Sequence, residues 1–106
     1  RVVAVRDELF AGAVDARRSA DGAVDWRRST PEECPWERGA VPGDCARSLR
    51  RVLGGLGLAF GVFDLILTPD GRHVFLELNP GGEWGMLERD LDLGIADALA
   101  RALCED

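Results

Sequence analysis

The apolar positions of this chain change their period along its length, and the changes mark out its elements. Val2-Val3-Ala4-Val5 is apolar at every position, so Arg1 to Val5 predicts a strand. Arg6-Asp7-Glu8 is a polar turn. Leu9 to Arg17 reads as a second strand-like run, with Phe10 and Val14 as core candidates. Ser19 to Gly22 is a loop, and Ala23 to Arg27 a short extended segment. Arg28 to Asp44 carries three prolines and two glycines among charges and predicts a long loop, pinned by Trp26 and Trp36. Leu49, Val52, Leu53 and Leu56 then recur at the i, i+3, i+4, i+7 spacing of one buried helix face. Asp44 is the expected N-cap of that helix. Arg47, Arg50 and Arg51 lie on its far side, and Gly54, Gly55 and Gly57 end it.

Val62 to Thr68 is an apolar run rich in β-branched and aromatic residues, and His73 to Asn79 is a second one. Pro69-Asp70-Gly71 between them is a turn, so the pair predicts a β-hairpin that Pro80-Gly81-Gly82 closes. Trp84, Met86 and Leu87 follow in a glycine-rich loop. A final helix is expected from Asp92 or Leu93, with Ile95, Ala98, Leu99, Ala102 and Leu103 facing inward. The order strand, strand, loop, helix, hairpin, loop, helix predicts an α+β unit, an antiparallel sheet with helices packed on one face. No glycine-rich dinucleotide motif follows a strand, and no P-loop lysine is present.

Three polar residues interrupt the hairpin: Asp64, Glu77 and Asn79. Glu77 and Asn79 share a face, and the turn sets Asp64 roughly opposite Glu77. Like charges at cross-strand distance repel, and buried charge is costly unless it is paired or holds a metal. An all-oxygen cluster suits a hard divalent cation, magnesium or manganese. The pattern by itself equally fits a hairpin whose polar face meets water.

The net charge of −6 argues against nucleic-acid binding by phosphate neutralisation. There is no apolar run of membrane-spanning length and no signal peptide, so no membrane partner and a cytoplasmic location are expected. Cys34, Cys45 and Cys104 are odd in number and lack CxxC spacing, which fits reduced thiols. The chain opens in mid-strand at Arg1, so residues 1–106 are expected to be a piece of a longer polypeptide.

The helix, then LGLAFGVFDLILTPDGRHVFLELNPGGEWGMLE, then a closing amphipathic helix, resembles the C-terminal end of ATP-grasp ligases. The aspartate followed by E-x-N on the next strand is Asp64 and Glu77-Leu78-Asn79 here. The loop from Trp84 to Glu88, the Val24-Asp25-Trp26-Arg27 segment and the opening Arg1-Val2-Val3 resemble the RimK-like ATP-grasp peptide maturases, the microviridin and graspetide macrocyclases. That resemblance implies a C-terminal ATP-grasp lobe over residues 1–106. It implies that Asp64, Glu77 and Asn79 hold two magnesium ions (manganese the alternative) on ATP, and that Arg1 and Arg27 approach the phosphates or an acyl-phosphate. The implied activity is ATP-dependent formation of side-chain esters or amides in a ribosomally made precursor peptide. The implied partners are ATP, the precursor or another carboxylate, and the rest of the chain, with a homo-oligomer compatible. The phosphate-gripping lysines and adenine hinge of the family lie upstream of this sequence, so the segment is not expected to ligate alone. The alternatives are a RimK-like ligase adding an amino acid to a peptide or small carboxylate, and a non-catalytic α+β interaction module.

Overall fold

The computed structural model describes residues 1–14 and 36–104. Its strands are β1 (Val2–Val5), β2 (Glu8–Ala13), β3 (Glu37–Arg38), β4 (Phe60–Leu67) and β5 (His73–Asn79). Its helices are α1 (Gly43–Gly55), α2 (Gly85–Leu91) and α3 (Ile95–Cys104). The strands form a five-stranded antiparallel sheet in the order β3-β2-β1-β4-β5. The α+β class and the antiparallel sheet match expectation. β3 lies inside the stretch expected to be one long loop, pairing Gly12 with Arg38 and Ala13 with Glu37. Residues Val24 to Arg27, including Trp26 and Arg27, lie outside the described residues, as does Cys34.

β1 shows why helices cover both faces rather than one. All four of its residues are buried. Val3 and Val5 join Val62, Leu87, Ile95 and Ala98 under α2 and α3. Val2 and Ala4 join Phe63, Leu49 and Leu53 under α1. A strand with no polar side must be covered twice.

α1 starts at Gly43, with Pro42 in front of it, so Asp44 sits in the first turn and is not the N-cap. Its carboxylate accepts from the adjacent Cys45 N–H, 3.1 Å away, and its charge still suits the positive end of the helix. Ala46, Leu49 and Leu53 form the buried stripe. Val52 and Leu56 do not belong to it and are 41% and 62% exposed. Val52 lies about 90° round the helix from the stripe centre, and Leu56 follows the last turn. The helix ends as its glycines predict. Gly57 takes φ +71°, and Leu58 N–H and Gly57 N–H donate to the Leu53 and Gly54 carbonyls, each at 3.0 Å.

The stretch expected as a loop after the hairpin contains α2, whose shortness and leading glycine hide its periodicity. Leu87 on it is 1% exposed. The closing helix begins at Ile95, later than expected, because Asp92 (φ 49°) and Gly94 (φ 86°) both take left-handed conformations. Glu88 of α2 supplies what a local cap would have. Its carboxylate accepts from Gly94 N–H at 2.9 Å and Ala96 N–H at 2.6 Å. The Ala96 bond above all, then those from neighbouring amides, holds its pKa below the ordinary value against the opposing effect of burial. Ile95 and Ala98 are buried as expected, whereas Leu103 is 78% exposed. Eight positions after Ile95, it lies about 80° round the helix from it. No helix among the described residues is long and apolar enough to cross a membrane.

Candidate functional site

The hairpin sets the site. β4 and β5 pair Val62 with Asn79, Phe63 with Leu78 and Asp64 with Glu77. The turn that joins the two strands has Gly71 at φ +87°, with Gly71 N–H donating to Thr68 O at 2.9 Å and Thr68 N–H to Arg72 O at 2.8 Å. Just beyond Asp64 the register slips. Leu65 faces Phe75, so Leu76 is the extra residue of a β-bulge. Strict alternation would put Phe75 on the face of Glu77. The bulge moves it to the opposite face, where its ring meets Phe63 edge-on with centroids 6.3 Å apart. The carboxylate face is thereby kept clear of an aromatic ring.

Arg1, immediately before β1, supplies the fourth side chain. Val2 pairs with Phe63, which places Arg1 beside Asp64. Arg1 Nε donates to Asp64 Oδ1 at 2.9 Å and Nη2 to Oδ2 at 3.3 Å, a two-pronged ion pair. Nη1 donates to the backbone carbonyl of Glu83 at 3.2 Å. Burial by itself would raise the Asp64 pKa. The hydrogen bonds and charge of Arg1 outweigh it and hold the group below its ordinary value.

The chain after β5 folds back over this face. Gly81 N–H donates to Asn79 Oδ1 at 2.9 Å, and Gly82 N–H to Asn79 O at 3.3 Å. A side chain at Gly82 would bring its Cβ within 2.6 Å of Val62 Cβ, so this close approach requires glycine. The result is an open cleft of about 350 Å³ lined by Arg1, Asp64, Glu77, Asn79, Gly82 and Glu83, among others.

The donor set fits a magnesium ion shared with phosphate. Two carboxylates and one amide oxygen are hard ligands, too few to enclose a cation, which leaves positions for ligand oxygens and water. The Asn79 oxygen, already accepting from Gly81, keeps a second lone pair. Among the described residues no three His, Cys, Asp or Glu side chains form a metal-holding group by themselves. Of the residues expected at the site, the structure brings Arg1, Asp64, Glu77 and Asn79 together. Arg27 falls outside the described residues. The sequence reading missed Gly82 and the Glu83 carbonyl. The paired glycines after the E-x-N motif were the signal for the first, and a backbone acceptor leaves no signal.

No family model and no curated protein matches the sequence. Solved structures do. The macrocyclase MdnB from Microcystis aeruginosa MRC is 42% identical with a TM-score of 0.79, over 99% of this chain and 36% of its own. The Chryseobacterium gregarium RiPP-associated ATP-grasp ligase, solved with ADP and a leader and core peptide, is 24% identical with a TM-score of 0.90, over 98% of this chain and 32% of its own. The chain has the fold of the matching third of these structures, RiPP-associated ATP-grasp ligases among them. The ATP-grasp ligase PsnB, solved with a minimal precursor variant, Mg and ADP, shares that fold at 19% identity and a TM-score of 0.65, over 96% of this chain and 32% of its own. This chain spans about a third of the length of these ATP-grasp structures. The likeness to the macrocyclase MdnB runs over nearly all of this chain.

Proposed function

We propose that this chain is the C-terminal lobe of an ATP-dependent carboxylate ligase that forms side-chain ester or amide crosslinks in a ribosomally made precursor peptide. One observation carries the reading. Arg1 just before β1, Asp64 on β4 and Glu77 and Asn79 on β5 line one open cleft. The likeness to macrocyclase structures, one of them at 30% identity solved with a bound precursor peptide, supports the peptide substrate. The ADP and Mg in the related ligase structures support ATP and magnesium.

In this reading the reaction activates a substrate carboxylate with the γ-phosphoryl group of ATP. A hydroxyl or amine then displaces phosphate from the acyl-phosphate, giving ester or amide, ADP and phosphate. Magnesium, as two ions, supplies neutralisation of phosphate charge; manganese is the substitute ion to test. Asp64, Glu77 and Asn79 present the oxygens that hold it. Arg1, whose guanidinium keeps N–H donors beyond those it uses, offsets negative charge on the transferring phosphoryl group, and Arg27 is assigned the same part. The lobe works with the rest of its polypeptide, which supplies the other side of the nucleotide site.

The test is mass spectrometry of a precursor peptide encoded with the full-length protein, after incubation with ATP and magnesium. Loss of one water per closure is the expected result. A mass gain matching an added amino acid would instead show a RimK-like ligase. An unchanged peptide with no ADP formed would return the chain to the class of non-catalytic modules.

A further inference from the structure

Arg1 does more in this structure than face a ligand. Its guanidinium joins Asp64 on β4 to the Glu83 carbonyl in the loop after β5. Arg1 is itself held from behind. Its terminal ammonium donates to Gly12 O at 2.9 Å, and its carbonyl accepts from Gly12 N–H at 3.0 Å, so the residue extends the β1–β2 ladder by one position. The loop it grips is held at its near end by Asn79 and pressed on Val62 at Gly82. At its far end Trp84 packs against the core cluster beneath α2 and α3. Between those anchors, the Arg1–Glu83 bond is what draws the loop toward Asp64.

We propose that Arg1 is a positioning residue, a latch that fastens the Pro80–Trp84 loop to Asp64 so that the cation-side carboxylate and the wall of the cleft meet a ligand as one rigid unit. The inference deepens the ligase reading and rests on it for the nature of the ligand. The latch itself is a property of the unliganded protein. Only a planar fork can serve both partners. A lysine keeps the charge but, as a point donor, cannot bridge Asp64 and Glu83 in this geometry. The Glu83 side chain is irrelevant to the latch, because the acceptor is the backbone carbonyl.

The experiment is amide hydrogen exchange read by mass spectrometry on the nucleotide-free, full-length protein, with four forms compared: wild type, Arg1→Lys, Gly82→Ala and Glu83→Ala. In the wild type, the Gly81 and Gly82 amides are bonded to Asn79 and exchange slowly. In Arg1→Lys those amides should exchange on the order of tenfold faster, as expected when a charge-assisted bond closing the loop is lost. Gly82→Ala, which forces the loop off Val62 without touching Arg1 or Asp64, should do the same. Glu83→Ala should match wild type. A second readout is the magnesium concentration giving half-maximal activity. It should rise in both Arg1→Lys and Gly82→Ala, with the larger effect of Arg1→Lys on kcat.

Wild-type exchange in Arg1→Lys would overturn the latch. So would a rise in Glu83→Ala equal to that in Arg1→Lys, or a rise spread through the β1–β4 ladder and α3. If the wild-type protein modifies no peptide while the local exchange result holds, the ligase reading falls and the latch stands.

Discussion

Asp64 on β4 and Glu77 on β5 sit directly opposite one another across the hairpin ladder, with Arg1 bonded to both oxygens of Asp64. Facing carboxylates are destabilising on a sheet unless a positive charge lies between them or beside them. Arg1 meets that need on one side and leaves the Glu77 side of the pair to the cleft.

On the proposed ligase function, Glu77→Gln and Asn79→Ala in the intact protein should each lower ATP-dependent peptide modification by about 10–100-fold, the scale expected when the support of a bound cation is lost. Both residues are exposed, so thermal unfolding should stay close to wild type. Wild-type turnover of either variant at limiting magnesium would remove these residues from the cation site.

The Asp64–Arg1 pair makes stability depend on acid. The folded-state pKa of Asp64 is lowered, so its contribution is fully present above the ordinary value of 3.8 and is lost as pH falls through the folded value. Arg1→Met leaves burial to push Asp64 upward instead, so loss should begin at a higher pH. The pair is partly shielded, with side-chain exposures of 18% and 24%, and its contribution near neutrality is on the order of 1 kcal/mol. Urea midpoints measured from neutral pH downward, wild type against variant, check both the sign and the size.

Glu88 reads as part of a loop motif in the sequence and proves to be the cap of the next helix. Glu88→Ala should destabilise the fold by about 1–2 kcal/mol, the loss typical of an N-cap. The loss should be confined to α3, visible as faster exchange of the Gly94 and Ala96 amides. Because the Glu88 pKa is lowered, the stabilisation is present above its ordinary value of 4.5 and disappears on acidification. Unchanged exchange in the variant would show that α3 needs no such cap.

Two leucines that look alike in the periodic pattern should behave differently. Leu53 is 2% exposed in the core under α1, and truncating it to alanine should cost about 2–5 kcal/mol. Leu103, 78% exposed, should cost under about 0.5 kcal/mol. Thermal or chemical unfolding of the two variants side by side makes the comparison.

Much of this protein is legible in its sequence because the relevant physics is local. Two apolar runs around Pro69-Asp70-Gly71 determine a hairpin. The turn brings Asp64 and Glu77 within one position of each other, and the bulge at Leu76 completes the facing pair. The uniform Val-Val-Ala-Val strand and the terminating glycines of α1 are equally local. What the tertiary structure decided are relationships between segments far apart in the chain. Arg1 meets Asp64 across 63 residues, and no local pattern names its partner. The bulge at Leu76 sends Phe75 to the other face, a change of phase that strict alternation misses. Helices cover both faces, and Val52, Leu56 and Leu103 stay exposed. Periodicity says which side chains favour burial, but the neighbouring elements set how wide a stripe they cover.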